Sequence, residues 1–245
     1  MARIFITGSA DGLGQLAAKA LISQGHAVVL HARNAQRSQE ALAKNPGAED
    51  VLTADLSNMD ETKELAARVN ALGSFDAIIH NAGVYQAPGE VIFSVNTLAP
   101  YILTSLIQKP KRLVYLSSGM HRQGRADAGK NRYTYSDSKL HDLMLSMAVC
   151  RCWPDVYANA VDPGWVPTKM GGNAAPDDLD KGYETQVWLA ASNDQQALVS
   201  GRYFHHKKED HYLPEANDVK LQEKLLAICA LETGVDFPIT TIRDL

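Results

Sequence analysis

Apolar and polar positions along the chain follow two alternating patterns. Ile4-Phe5-Ile6, Val28-Val29-Leu30, Ala77-Ile78-Ile79 and Leu113-Val114-Tyr115-Leu116 are short unbroken apolar runs. Such runs are typical of strands covered on both faces of a parallel sheet. Val51-Leu52 ending at Asp55, Tyr157 to Val161 and Tyr203-Phe204 add three more strands. Between the runs, apolar residues recur at helical spacing. Leu13, Leu16, Ala17, Ala20 and Leu21 lie on one face before Gly25. Leu65, Val69 and Leu72 do so before Gly73, with Asn58 and Glu61 as a capping pair at the start. Further helices are predicted around Tyr183 to Ala191 and through Leu221, Leu225, Ile228 and Cys229, closed by Gly234. Val91 to Ile107 is the longest uncharged run. It holds Asn96, Thr97 and Pro100 and falls short of the ~20 apolar residues of a bilayer span, so it reads as a buried helix.

Strand and helix alternate throughout, which predicts an α/β fold. The expectation is a doubly wound, seven-stranded parallel sheet with right-handed crossovers and helices on both faces. No repeat, low-complexity tract or linker divides residues 1–245, so one domain is expected. A chain of 245 residues with 45% hydrophobic content can bury one sizeable core. The net charge of −4 carries no block of like charge, which argues against nucleic acid or an anionic membrane as partner. Three cysteines, Cys150, Cys152 and Cys229, are an odd count in a long chain. With no signal peptide ahead of Ile4, they point to a reduced, cytoplasmic protein.

Gly8, Gly12 and Gly14 follow the first strand and open the first helix. Glycines there let the backbone turn tightly and approach a pyrophosphate, and the helix N-terminus offers free N–H groups. The second strand ends His31-Ala32-Arg33-Asn34, with a guanidinium where a ribose-binding carboxylate could stand. A carboxylate would repel a 2′-phosphate and an arginine can chelate it, so the end of this strand favours NADP over NAD. Asp11, inside the glycine turn, is acidic where a basic residue would strengthen that preference.

Thr7-Gly8, Gly12, Gly14, Asp55-Leu56, Asn81-Ala82-Gly83, Asn96, Ser117-Ser118, Tyr135 with Lys139, and Pro163-Gly164-Trp165-Val166-Pro167-Thr168 occur in this order. On these motifs the chain resembles the short-chain dehydrogenase/reductase family over nearly its whole length. The resemblance is to its main branch, with TGxxxGxG and YxxxK motifs, retinol-dehydrogenase-like or carbonyl-reductase-like. It implies a cofactor site made of Gly8, Ser9, Gly12, Leu13, Gly14, Arg33, Asp55, Leu56, Asn81, Ala82, Gly83, Tyr135, Lys139, Pro163, Gly164, Val166 and Thr168. Asp55 is then expected near the adenine and Pro163 to Thr168 along the nicotinamide. The implied catalytic residues are Asn96, Ser118, Tyr135 and Lys139. A homodimer or homotetramer is also implied. Three features depart from the family pattern: a short segment from Gly83 to Asn96, a clipped helix before Lys109-Pro110-Lys111, and a long gap from Ser118 to Tyr135.

A phenol titrates near pH ~10, too high for a base at neutral pH. Lys139, four residues on, shares a helix face with Tyr135 and favours the phenolate. Tyr135 can then exchange a proton with a carbonyl or alcohol oxygen that Ser118 steadies, while hydride passes to or from the nicotinamide. Ser117 is the competing serine, and Tyr133 is followed four residues on by Asp137. If Val91 to Ile107 is helical, Pro100 cannot donate to the Asn96 carbonyl, which is then free for a water leading to Lys139. The expected activity is an NADP-preferring oxidoreductase of small-molecule carbonyls or alcohols. The alternatives are a non-catalytic NADP-binding sensor and a sugar-nucleotide epimerase or dehydratase.

Other signals are weaker. His205-His206-Lys207-Lys208-Glu209-Asp210-His211 fits no zinc spacing and reads as a solvated loop, so no metal is expected. Cys150 and Cys152 point apart on a helix. His121 and Arg122 face substrate or water, Trp165 packs at the pocket wall, and Trp188 supports its helix from within the core. A lid is expected near residues 167–200, with Gly171-Gly172 in its first half.

Overall fold

The computed structural model describes residues 1–126 and 133–239. Residues 127–132, within the long gap from Ser118 to Tyr135, lie outside the described residues. One sheet runs through the molecule in the order β3-β2-β1-β4-β5-β6-β7-β8. Its strands are β1 (Arg3–Ile6), β2 (Ala27–Ala32), β3 (Asp50–Thr53), β4 (Ala77–His80), β5 (Arg112–Leu116), β6 (Tyr157–Asp162), β7 (Arg202–His205) and β8 (Lys208–Glu209). Strands β1 to β7 are parallel, and the order reverses on either side of β1, which makes the expected doubly wound α/β fold.

The sheet has eight strands where seven were expected. The eighth, β8, is two residues long and antiparallel to β7. His206 and Lys207 between them have φ of 48° and 62°, both left-handed, as a two-residue hairpin turn requires. The histidine-rich stretch is therefore a hairpin in its first half rather than a solvated loop. Its turn lacks the Asn-Gly or Asp-Gly signal that makes such hairpins readable.

The helices are α1 (Gly12–Ser23), α2 (Ala35–Lys44), α3 (Met59–Ala71), α4 (Gly89–Phe93), α5 (Ala99–Leu106), α6 (Tyr135–Cys152), α7 (Leu179–Ala191) and α8 (Val219–Thr233). A π-helical segment, Ser94–Leu98, joins α4 to α5, so the expected buried helix is present but wound in two registers. The Ala99 N–H bonds to the Ser94 carbonyl five residues back, directly before Pro100 in the first turn of α5. Proline has no N–H for the ordinary ladder, and a π turn is one way to absorb that defect.

Two apolar layers flank the sheet. On one side Phe5, Ile78, Leu113, Tyr101 and Leu143 pack under α3, α5 and α6. On the other, Ile4, Ile6, Leu30, Leu21 and Leu189 pack under α1 and α7. Helix α6 is buried on every side from Ser136 to Val149, not on the single face its apolar residues outline. Its polar residues must therefore find partners inside the protein. Among the described residues no helix is long and apolar enough to cross a membrane.

Candidate active site

The carboxyl ends of β1, β4, β5 and β6 converge with the N-termini of α1 and α6. Here the Asp11 side chain caps α1 by accepting from the Gly12 N–H at 2.9 Å. Gly8 has φ +64°, and a Cβ there would stand 2.8 Å from Ala82 Cα. At Gly14 a Cβ would stand 2.3 Å from Asn81 Nδ2 and 2.6 Å from the Gly8 carbonyl oxygen. The glycine turn and the Asn81-Ala82-Gly83 segment are thus pressed together without room for side chains.

Hydrogen bonds fix that contact. Thr7 Oγ1 accepts from the N–H groups of Asn81 and Ala82, each at 3.0 Å. Asn81 Nδ2 donates to the carbonyls of Thr7 and Gly8 at 2.9 and 3.1 Å. Of the first N–H groups of α1, which have no partner within the helix itself, Gly12 gives its own to Asp11 and Gln15 gives its own to the Asp11 carbonyl. This cradle, closed to any Cβ yet open at a helix N-terminus, fits the diphosphate of a dinucleotide.

The end of the cleft beside β2 carries Arg33, Arg37 and Lys44 and is shaped by α2. Arg33 is exposed just beyond β2. Asn34 caps α2 by accepting from the Arg37 N–H at 3.0 Å. Arg37 then reaches back to Asp11 at 3.0 Å, and Lys44 Nζ lies 3.9 Å from the same carboxylate. Burial works against the charge on Asp11, but hydrogen bonds from Arg37 and the Gly12 N–H outweigh it and hold the carboxyl below its ordinary range. Arg37 and Lys44 were missed in the sequence because α2 buries only Ser38 and Ala41 and carries almost no apolar stripe. Asp55 is half-buried in the turn after β3, where Ser57 donates to it through N–H and Oγ at 2.9 and 2.7 Å. Leu56 beside it is buried.

Lys139 is 3% exposed. Its ammonium donates to the Leu116 carbonyl at 2.7 Å and to Asp142 Oδ2 at 2.8 Å, and its Nζ sits 5.5 Å from the Tyr135 ring centroid. A Cβ on Gly83 would lie 3.5 Å from both Lys139 Nζ and Asn96 Oδ1, so all three groups face one point. Burial opposes the charge on Lys139, but Asp142 and Tyr135 more than compensate, and its pKa rises. Lys139 pulls on the Tyr135 phenol in the expected direction, but not by enough to acidify it on its own. Burial raises its pKa, Lys139 lowers it only in part, and the net position is above the ordinary value. Tyr85 packs edge-on against the Tyr135 ring, 4.9 Å between centroids.

The two serines separate cleanly. Ser117 is buried and donates to the Lys139 carbonyl at 2.7 Å, tying β5 to α6. Ser118, two residues beyond β5, is half-exposed and caps the 3-10 turn Gly119–Gln123 by accepting from the Met120 N–H at 3.2 Å. That turn docks on α6, since Arg125 N–H donates to Asp137 Oδ1 at 2.8 Å. Thr134 and Asp137 form a capping box that starts α6 at Tyr135. Tyr133 stacks on Phe93 with 3.8 Å between centroids, away from Lys139.

Asn96 is fully buried. Its Oδ1 accepts from the Val84 N–H at 2.8 Å, and its Nδ2 donates to the Val84 carbonyl and to Ser138 Oγ, each at 3.0 Å. Its side chain thus binds the segment after Gly83 to α6, a tie no spacing in the sequence announces.

Gly164 turns at φ +81° after β6. Thr168 faces the glycine turn, 4.0 Å from where a Gly12 Cβ would be. A Cβ on Gly182 of α7 would meet Val166, Leu13 and the Pro163 carbonyl at 2.8, 3.1 and 3.4 Å. Leu13, Pro163, Val166 and Thr168 are therefore brought to one edge of the cleft. Ser9 is buried and fixed to the Ile6 carbonyl at 3.0 Å. Trp165 does not pack at a pocket wall: it is 56% exposed, its Nε1 donating to the Gly171 carbonyl at 2.8 Å. Trp188 is half-buried and edge-on to Phe204. Residues 167–178 form no helix or strand, whereas α7 behind them buries one face against α1. His121 is buried, and Arg122 pairs with Asp210 at 2.8 Å. No cluster of metal ligands occurs among the described residues.

Comparison with known proteins gives a consistent picture. Residues 2–179 match the family model described as short chain dehydrogenase. The chain is 46% identical over 253 residues to an uncharacterised oxidoreductase of Emericella nidulans, AN7799, covering 97% of this chain and 99% of that protein. It is 41% identical to the short-chain dehydrogenase chyC of Penicillium rubens, covering 97% and 100%. Human retinol dehydrogenase 14 is 27% identical, over 95% of this chain and 86% of that protein. A solved structure of an uncharacterised protein from Mycobacterium paratuberculosis has the same fold, with a TM-score of 0.81 at 24% identity, covering 98% and 96%.

Proposed function

The chain belongs to the short-chain dehydrogenase family, and from that membership we propose that it interconverts a small-molecule carbonyl and its alcohol by hydride transfer, preferring NADP, with Tyr135 as the proton donor and acceptor. The observation that carries this reading is Lys139, buried behind the Tyr135 ring with two of its three N–H groups occupied by Leu116 and Asp142. The third has the Gly83 side of the cleft before it, where a nicotinamide ribose would lie.

Gly8, Gly12, Leu13 and Gly14 would hold the diphosphate, Arg33 the 2′-phosphate, Asp55 and Leu56 the adenine, and Asn81, Ala82 and Gly83 the middle of the molecule. Pro163, Gly164, Val166 and Thr168 would line the nicotinamide. When bound, the dinucleotide supplies the hydride for reduction or takes it up in oxidation. Ser118 presents its hydroxyl to the substrate oxygen as negative charge develops there. Tyr135 gives its proton to that oxygen, and Lys139 stabilises the phenolate left behind. Asn96 keeps Lys139 and Gly83 in register through Val84 and Ser138. Its carbonyl, four residues before Pro100, would hold a water on the path by which Lys139 returns the proton to solvent. Residues 167–178 close over the substrate.

NADP preference rests on the absence of a carboxylate at the end of β2 and on Arg33, exposed there. The test is a panel of aldehydes, ketones and alcohols with NADP(H) and NAD(H), followed at the reduced-nicotinamide absorbance band. Turnover with NADP(H) is expected. Binding of NADP without turnover on any panel member would overturn the catalytic reading.

A further inference from the structure

We propose that Asp142 is the counter-ion that positions Lys139 and keeps Tyr135 protonated, which sets this site for carbonyl reduction. The proposal rests on the reading of Tyr135 and Lys139 as the proton-transfer pair. Asp142 lies one turn beyond Lys139 on α6, and their side chains are 3% and 4% exposed. At 2.8 Å the carboxylate takes one N–H of the ammonium while the Leu116 carbonyl takes a second at 2.7 Å. Two anchors from different elements leave the lysine head a single direction, the Gly83 side. A lysine without Asp142 could swing about its flexible stem.

The same contact has an electrostatic consequence. Lys139 acts on the phenol of Tyr135 as one half of an ion pair, and a buried pair projects a far weaker field than a lone ammonium. Asp142 itself raises the phenol, as does Asp162 at the end of β6. The groups that face this trio are few. Tyr115 on β5 feels Asp142 and is held by Thr104 Oγ1 at 2.8 Å. Tyr85 packs on Tyr135, while His80 on β4 stacks behind Tyr115. His141 on α6 is turned away to Thr97. Lys139 is the one cation among them. A protonated Tyr135 is the form reduction needs: the carbonyl carbon gains the hydride of the reduced nicotinamide dinucleotide, its oxygen gains the Tyr135 proton, and the phenolate is recharged through solvent. Alcohol oxidation needs the phenolate and is expected only at alkaline pH.

The test compares wild type with Asp142→Asn, which keeps shape and removes the charge. The pH midpoint of the alcohol-oxidation rate should fall by about one unit in the variant, the size expected for deleting a charge a few ångström away. KM for the cofactor should rise as Lys139 loses its anchor. An unshifted midpoint overturns the proposal. A second measurement needs neither that variant nor turnover: the ultraviolet difference between wild type and Tyr135→Phe, titrated with pH in the absence of cofactor. The extra phenol should ionise above its ordinary value of 10.0. Ionisation near neutral pH overturns the proposal. If wild type turns over no carbonyl or alcohol, the functional reading fails while this titration still decides the state of Tyr135.

Discussion

His31 holds the first glycine of the turn between β1 and α1. The Gly8 N–H donates to its Nδ1 at 3.0 Å, so Nε2 carries the hydrogen and donates to the Ala54 carbonyl at 3.0 Å. The ring bridges β1, β2 and β3 and works only when neutral. Burial lowers its pKa from 6.5 to about 4. The unfolded chain therefore binds a proton between these values that the folded chain refuses. Stability conferred above pH 6.5 is lost as pH falls toward 4, by about 3 kcal/mol for this one group. His80, lowered to about 3, and His141, lowered to about 4, act in the same direction. Urea denaturation from pH 7 to pH 4 should show a steep decline, and His31→Gln should remove about one proton from its slope. A stability curve flat across that window would refute the assignment.

Tyr135→Phe removes one hydroxyl and leaves the edge contact with Tyr85. Proton transfer by a positioned side chain is worth roughly a hundred- to ten-thousand-fold in rate. The variant should lose kcat on that scale while its NADP dissociation constant, followed by reduced-nicotinamide fluorescence, changes less than about twofold. Equal losses in kcat and cofactor affinity would instead make Tyr135 a binding residue.

Arg33 and Asp11 should act in opposite directions on cofactor choice. Arg33 offers a guanidinium to a 2′-phosphate, a contact worth about 1.5–3 kcal/mol. Arg33→Ala should weaken NADP binding at least about tenfold and leave NAD unchanged. Asp11 presents its carboxylate to Arg37 and Lys44 and repels a phosphate. Asp11→Asn keeps a good helix cap, releases Lys44 and the arm of Arg37 not held by Glu40 at 2.6 Å, and should tighten NADP. Calorimetric titration of both dinucleotides into the three proteins decides the matter. Tighter binding of NAD than NADP, unaltered in Arg33→Ala, would reverse the cofactor preference.

Unbroken apolar runs made the central strands legible, because a strand covered on both faces leaves no other pattern. The edges were not legible. β8 is two residues long with an atypical turn, and the apolar residues of α2 are only Ala35, Ala41, Leu42 and Ala43, so neither carries an apolar run or stripe long enough to read. Spacing along the chain brought Tyr135 and Lys139 to one helix face. It could not show that α6 is buried all round, and so that the lysine would share its interior with Asp142 rather than act on the phenol alone. Nor could it show that Asn96 reaches forward to Ser138, since that bond spans 42 positions. Contacts of that range depend on packing angles between elements, which local pattern does not encode.

Gly12 and Gly14 are two residues apart, and substitution should separate what each does. Gly12 has φ +55°, but an added Cβ would find nothing nearer than Thr168 at 4.0 Å. Gly12→Ala therefore costs only the strain of a left-handed alanine, about 1–2 kcal/mol, and the fold should survive. At Gly14 the conformation is ordinary, but the Cβ would stand 2.3 Å from Asn81 Nδ2 and 2.6 Å from the Gly8 carbonyl oxygen. The second neighbour is backbone and cannot rotate away. Asn81 would have to leave its bonds to Thr7 and Gly8, which opens the seam between the glycine turn and the Asn81-Ala82-Gly83 segment. Gly14→Ala should thus lose more stability than Gly12→Ala, about 3 kcal/mol or more once overpacking and the lost hydrogen bonds combine. Its affinity for either dinucleotide should fall with it. Thermal denaturation with and without NADP ranks the two variants, and a Gly14→Ala protein as stable as Gly12→Ala would mean that the seam has slack this structure does not show.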